Sequence, residues 1–160
     1  AININHASHE SLNSNLNLSL GDFSDGNQRL QLSASHSFAL QRSIRHQTDA
    51  RLNLGWQSNN KNNANYFNPS TLTSLSAGLD YTGTLQRHYN QFFKHQASLN
   101  LGLQSQAGFG QDIFWGIGYQ HLWQKNKRLN GSYGVSYSQP IFDGERENNI
   151  GYFAQMKWKF

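Results

Sequence analysis

G-Y-F-A-Q-M-K-W-K-F, residues 151–160, is the stretch on which the reading of this chain turns. Counting back from Phe160, the residues Trp158, Met156, Ala154, Tyr152 and Ile150 share one face of an extended strand, and Lys159, Lys157 and Gln155 share the other. Side chains alternate across a strand, so about ten residues present one apolar face, the length of a tilted strand crossing a bilayer. Two lysines on the opposite face are out of place in a dry sandwich core. An edge strand of a soluble sandwich is the competing reading.

The same period of two runs through the chain upstream. Leu16, Leu18 and Leu20 oppose Asn15, Asn17 and Ser19; Leu30, Leu32, Ala34, Phe38 and Leu40 oppose Gln31, Ser33, Ser35 and Ser37. Ala50, Leu52, Leu54 and Trp56 oppose Arg51, Asn53 and Gln57, and Leu75, Ala77, Leu79 and Tyr81 oppose Ser74, Ser76 and Asp80. Ala97, Leu99, Leu101 and Leu103 alternate with Ser98, Asn100 and Gln104, and the rhythm continues through Trp115, Ile117, Tyr119 and Trp123 and through Leu129, Tyr133, Val135 and Tyr137. About nine strands joined only by turns predict an antiparallel meander, with neighbours paired in sequence order. Aromatics gather towards the strand ends, where girdles meet the bilayer interfaces.

Composition agrees with a transmembrane β-barrel. Hydrophobic residues make up only 36% of the 160, yet aromatics reach 13%, which argues against disorder and equally against a thick dry core. A barrel with a polar lumen needs apolar residues only at alternate positions. No apolar run is long enough for a membrane helix, and no cysteine is present for a disulfide framework or thiol chemistry. The basic residues behind the net charge of +4 are dispersed among strand ends, a distribution that does not suggest nucleic acid as a partner. The opening A-I-N-I-N-H, without Met or signal peptide, predicts a mature chain or a fragment.

Alternate connections differ in charge. Turns near Arg42 and Arg45, near Arg87 and His88, and near Lys125, Lys127 and Arg128 are basic; the opposite set carries Asp22, Asp25, Asp112, Asp143, Glu145 and Glu147. With Phe160 ending in the periplasm, the basic turns are expected there and the acidic loops outside. An odd strand count means either that the first strand is miscounted or that the N-terminal half of a closed, even-numbered barrel is missing.

Three stretches carry a resemblance: Y-F-N-P at Tyr66 to Pro69, R-H-Y-N-Q-F-F-K-H-Q with the later Q-A-G-F-G, and Q-P-I-F-D-G-E-R-E at Gln139 to Glu147. With the terminal strand they resemble the C-terminal part of the outer-membrane porins that export poly-β-1,6-N-acetyl-D-glucosamine in biofilm-forming Gram-negative bacteria. The match spans residues 66–160; upstream only the strand rhythm agrees. The resemblance implies that residues 1–160 are an outer-membrane segment giving the last eight or nine strands of a sixteen-stranded antiparallel barrel, without the periplasmic repeat domain. It also implies export of a partly de-N-acetylated, cationic polysaccharide, and as partners outer-membrane lipid, the barrel assembly machinery and a periplasmic deacetylase. Ile141 stands where the family more often has Tyr.

No arrangement of catalytic groups is visible. The seven histidines are scattered without an H-E-x-x-H context, and no G-x-S-x-G elbow occurs. The expectation is a protein that is no enzyme and needs no cofactor or metal, with the histidines at rims and turns. For a cationic polymer, carboxylates along the path matter most. Asp80 is the one acid that alternation places inward in mid-strand, and Asp143, Glu145 and Glu147 lie in the expected exit loop. Tyr66, Phe67, Phe109 and Phe142 are loop aromatics suited to stacking on sugars. Tyr152, Met156, Trp158 and Phe160 are expected to form the signal read during membrane insertion. Salt bridges of the acids to Arg51 or Arg146, loop packing by the aromatics, and a small structural or adhesive barrel without transport are the alternatives.

Overall fold

The computed structural model describes residues 2–9, 12–61 and 66–159, which form strands and turns and no helix. Phe160, one of the expected insertion-signal residues, lies outside the described residues. Nine strands make one antiparallel sheet in sequence order: β1 (Ile2–His9), β2 (Leu12–Asp22), β3 (Gln28–Arg42), β4 (His46–Asn59), β5 (Thr71–His88), β6 (Gln91–Gln106), β7 (Gly110–Gln124), β8 (Leu129–Gln139) and β11 (Asn149–Trp158). Between β8 and β11 a two-stranded hairpin, β9 (Ile141–Phe142) with β10 (Glu145–Arg146), stands apart from the sheet.

Directly paired residues share a face, so the register tests the alternation row by row. Leu18 pairs with Leu32 and Leu32 with Trp56; Leu79 pairs with Leu99 and Leu99 with Ile117; Val135 pairs with Tyr152. The apolar rows are therefore continuous from β2 to β11, as expected. They are not covered: Leu99, Leu101 and Leu103 are exposed, and among the described residues the only buried hydrophobic side chain is Ile141. The described residues form no closed apolar core, and their stability rests on the backbone ladder and on burial of the leucine face in an apolar medium.

Two details depart from the sequence reading. Leu40 has no ladder partner, because the β3–β4 register shifts between Ala39 and Gln41; a second bulge lies between Thr84 and Gln86. Extra residues of this kind bend and twist a strand near a sheet's rim. The expected exit loop also contains structure, since Asp143 (φ 51°) and Gly144 (φ 77°) form a two-residue turn closing β9 on β10. Both central residues with positive φ mark the mirror-image turn that Asp-Gly favours in hairpins.

The antiparallel order puts the connections 43–45, 89–90 and 125–128 at one end of the sheet, and 23–27, 60–70, 107–109 and 140–148 at the other. The first is the basic rim of the sequence reading and the second the acidic rim. His46 and His88 sit at the basic rim, at the start of β4 and the end of β5, in keeping with the rim expectation, whereas His36, His95 and His121 lie within strands. His46, His95 and His121 are strand residues on the leucine face, where they form a band with Tyr81, Tyr119 and Tyr133. The Tyr81 hydroxyl lies 2.7 Å from Nδ1 of His46, and that of Tyr119 3.2 Å from Nε2 of His121. Such a polar-tipped aromatic band suits a membrane interface.

Candidate functional site: the polar face and its two stations of charge

The polar face is lined largely by short hydroxyl, amide and glycine residues, and its carboxylates concentrate at two heights. Asp80 sits about 30 Å along β5 from the acidic rim, counting nine residues at strand rise. Its direct cross-strand partner is Asp49, an acid the alternation also turns inward. The sequence reading singled out Asp80 alone because it began that strand at Ala50; one residue earlier, the same parity reveals Asp49. Two carboxylates facing each other across a ladder repel, and two arginines answer them. Nη1 of Arg51 lies 3.2 Å from Oδ2 of Asp80, and Arg42 pairs with Asp49. The Arg51 pairing anticipated as an alternative is thus present. All four side chains remain more than a third exposed, so each pair is solvent-screened and exchangeable.

The second station is the acidic rim, where the hairpin folds over the polar face. Gln104 donates from Nε2 to the Ile141 carbonyl oxygen at 2.9 Å. Gln106 and Asp143 bond reciprocally: the Gln106 amide donates to the Asp143 carboxylate at 2.6 Å, and the Asp143 backbone N–H donates back at 3.2 Å. Arg146 pairs with Asp112. These contacts hold the hairpin inward, and they explain why Ile141 is the buried hydrophobe. Glu145 and Glu147 are exposed, and neither forms an ion pair among the described residues.

The four loop aromatics split into two groups. Phe67 meets Phe142 edge to face with ring centroids 5.0 Å apart, and Phe109 lies beside Gly144 of the same hairpin. Tyr66 is elsewhere: it stacks on Phe23 at 5.5 Å, and its hydroxyl accepts from Asn27 and donates to Asp25. Tyr66 therefore belongs to a clasp between the 23–27 turn and the 60–70 loop. At its centre is Asn27, fully buried, which donates to Tyr66 and Asn68 and accepts from the Lys61 backbone N–H. Asp25 accepts the Asn27 backbone N–H, and this bond, then the Tyr66 hydroxyl and the Lys61 ammonium, hold its carboxyl below the ordinary range. No hydropathy signal marks Asn27 in the sequence; a polar residue after the turn glycine Gly26 reads as solvent-exposed loop.

Tyr152, Met156 and Trp158 are exposed on the leucine face of β11, as alternation requires. The site residues named from sequence therefore fall into four places: the mid-wall acid, the inward hairpin, the clasp, and the last strand. The hairpin brings together Phe67, Phe109, Phe142 and Asp143, while Asp80 and Tyr66 stand apart from it.

Comparison with known proteins places this geometry. The family model described as PgaA membrane beta barrel domain matches residues 1–160. Poly-beta-1,6-N-acetyl-D-glucosamine export proteins from Escherichia coli strain K12 and from Escherichia coli O157:H7 are each 24% identical over 139 residues, covering 87% of this chain and 17% of theirs. The chain thus spans about a sixth of the length of these curated relatives. A solved structure described as a bacterial polysaccharide outer membrane secretin superposes with a TM-score of 0.95 at 22% identity, over 99% of this chain and 55% of that one. The chain belongs to the PgaA membrane beta barrel domain family and forms part of a bacterial outer-membrane barrel.

Proposed function

We propose that this segment is part of the wall of a passive outer-membrane conduit, which carries partly de-N-acetylated poly-β-1,6-N-acetyl-D-glucosamine outward for the biofilm matrix. The leucine face meets lipid, the polar face meets the polymer, and the protein does no chemistry on its cargo. The full sixteen-stranded barrel, its folding by the assembly machinery and delivery of polymer from a periplasmic deacetylase belong to the same reading. The observation that carries it is the Asp49–Asp80 pair at mid-wall, with its two exchangeable arginines. A deacetylated sugar carries an ammonium near neutral pH, and paired carboxylates lower the cost of bringing that charge into a narrow pore.

Each carboxylate in a wet lumen contributes about 1 kcal/mol to a passing ammonium, because water and salt screen it. Asp80→Asn alone should reduce polymer secretion roughly two- to fivefold, and Asp49→Asn with Asp80→Asn should reduce it further. The measurement is secreted polymer per barrel at the cell surface, in the intact protein, at two ionic strengths. Secretion by the double variant equal to wild type, at equal surface abundance, sinks the electrostatic mechanism.

A further inference from the structure

Parity places a few large apolar residues on the polar face, among them Leu72, Phe114, Leu122 and Phe153, and of these Phe153 is the one beside Asp80's trough. Phe153 lies between Tyr152 and Ala154 but points away from their leucine face, on a strand whose polar side otherwise reads Asn149, Gly151, Gln155 and Lys157. Its row across the sheet is Thr82, Gln96, Gln120, Gly134 and Phe153. The first three are tied side chain to side chain, Gln120 donating to Gln96 and Gln96 to Thr82. Gly134 then leaves a notch, since a Cβ there would meet Cε1 of Phe153 at 2.8 Å and Cβ of Gln120 at 2.7 Å. The ring leans into that notch, towards the sheet interior.

The neighbouring row towards the acidic rim is Asp80, Ser98, Gly118, Ser136 and Gly151. Four small residues in line make a trough, bounded by the amide ladder along one side, Phe153 at one end and Asp80 at the other. The cavity over it measures about 450 Å³ and is lined by residues of both rows. A bare aromatic in an otherwise polar trough costs free energy in water unless something apolar covers it. The face of an amino sugar is such a cover: axial C–H groups for the ring, hydroxyls and an acetamide for glutamine amides, an ammonium for the carboxylate at the far end.

We infer that this trough is a hexosamine subsite within the conduit wall, with Phe153 as the stacking platform, Gln120 and Gln96 as the amides that hold the sugar's polar edge, and Asp80 as the counter-charge for a neighbouring deacetylated unit. The inference rests on the export reading and adds to it a specific contact that recognises the sugar itself, acetylated or not.

The test uses the intact protein in planar bilayers, with β-1,6-linked glucosamine oligosaccharides as probes in fully acetylated and fully deacetylated forms, and reads the concentration that half-blocks the current. Phe153→Leu, and Phe153→Met where leucine disturbs the strand, should raise the half-blocking concentration of both forms about five- to tenfold. Phe153→Tyr, which keeps the ring, should leave it unchanged. Asp80→Asn should weaken only the deacetylated form. Blocking of the Leu and Met variants at wild-type concentrations overturns the platform while leaving the export reading intact. A wild-type channel that neither form blocks overturns both.

Discussion

The wall and the acidic rim are held by different means, and the difference decides which single residues matter. In the wall, nine strands share a continuous ladder, each residue contributes backbone bonds, and the side chains on either face are small or exposed. Removing one side chain there subtracts little, because the ladder does not depend on it. At the acidic rim the chain leaves the ladder for the 60–70 loop and the 140–148 hairpin, and a few side chains replace it: Asn27 for the clasp, Gln104 and Gln106 for the hairpin. Redundant backbone bonding tolerates substitution; a polar knot at a loop does not.

The largest effect should therefore come from Asn27→Ala. It leaves Tyr66, Asn68 and the Lys61 backbone N–H without their shared partner, a local loss of about 3 kcal/mol. Limited proteolysis should then cut within 60–70 while the barrel keeps its heat-modifiable mobility; an uncut loop would break the contrast. Next, Gly102→Ala probes where the wall itself is intolerant. A Cβ there would come within 2.7 Å of the Leu75 carbonyl oxygen and 2.4 Å of the Phe114 ring, so about 2 kcal/mol of overpacking should appear as a lower unfolding midpoint in denaturant. Tyr66→Phe keeps the stack on Phe23 and loses only the hydroxyl bonds, about 1 kcal/mol, visible as faster amide exchange in the 23–27 turn.

The smallest effect is one of pH. Asp25 has a folded value depressed below its ordinary 3.8, so its contribution to the clasp is fully present above that value and is lost as pH falls through the lower, folded one. Protection of the loop amides, relative to an unstructured chain at the same pH, should fall below about pH 4, and Asp25→Asn should remove that fall; a clasp equally protected at acid pH contradicts the assignment.

How much of this was legible depends on which force acts. Period two fixes the face of every regular strand residue, so the leucine rows from Leu16 to Trp158 and the inward position of Asp80 follow from counting. Asp49 was within reach of the same parity but fell outside the strand as first bounded. The hairpin carries a local signal, Asp143-Gly144 between Phe142 and Glu145, a favoured two-residue turn within a segment whose polar residues otherwise read as loop. Asn27 and the inward fold of Ile141 have none, because they arise from contacts between residues 41 and 37 positions apart. Phe153 was visible as three consecutive nonpolar residues, Tyr152 to Ala154, a break in rhythm whose meaning needed the Gly134 notch.

The Asp49–Asp80 pair and its two arginines have a kinetic consequence. Arg42 and Arg51 flank the facing pair Asp49 and Asp80, so on the export reading proposed above an arriving ammonium would find each carboxylate already occupied by a guanidinium that solvent lets go. Capture is then an exchange of partners, and so is release, since the displaced arginine waits beside the carboxylate to take it back. A bare acid would hold a polycation as a trap holds it, with dwell time growing at every deacetylated unit. An acid with a tethered competitor sets an upper bound on dwell time that does not grow with the length of the chain, a condition for a long polymer to keep moving.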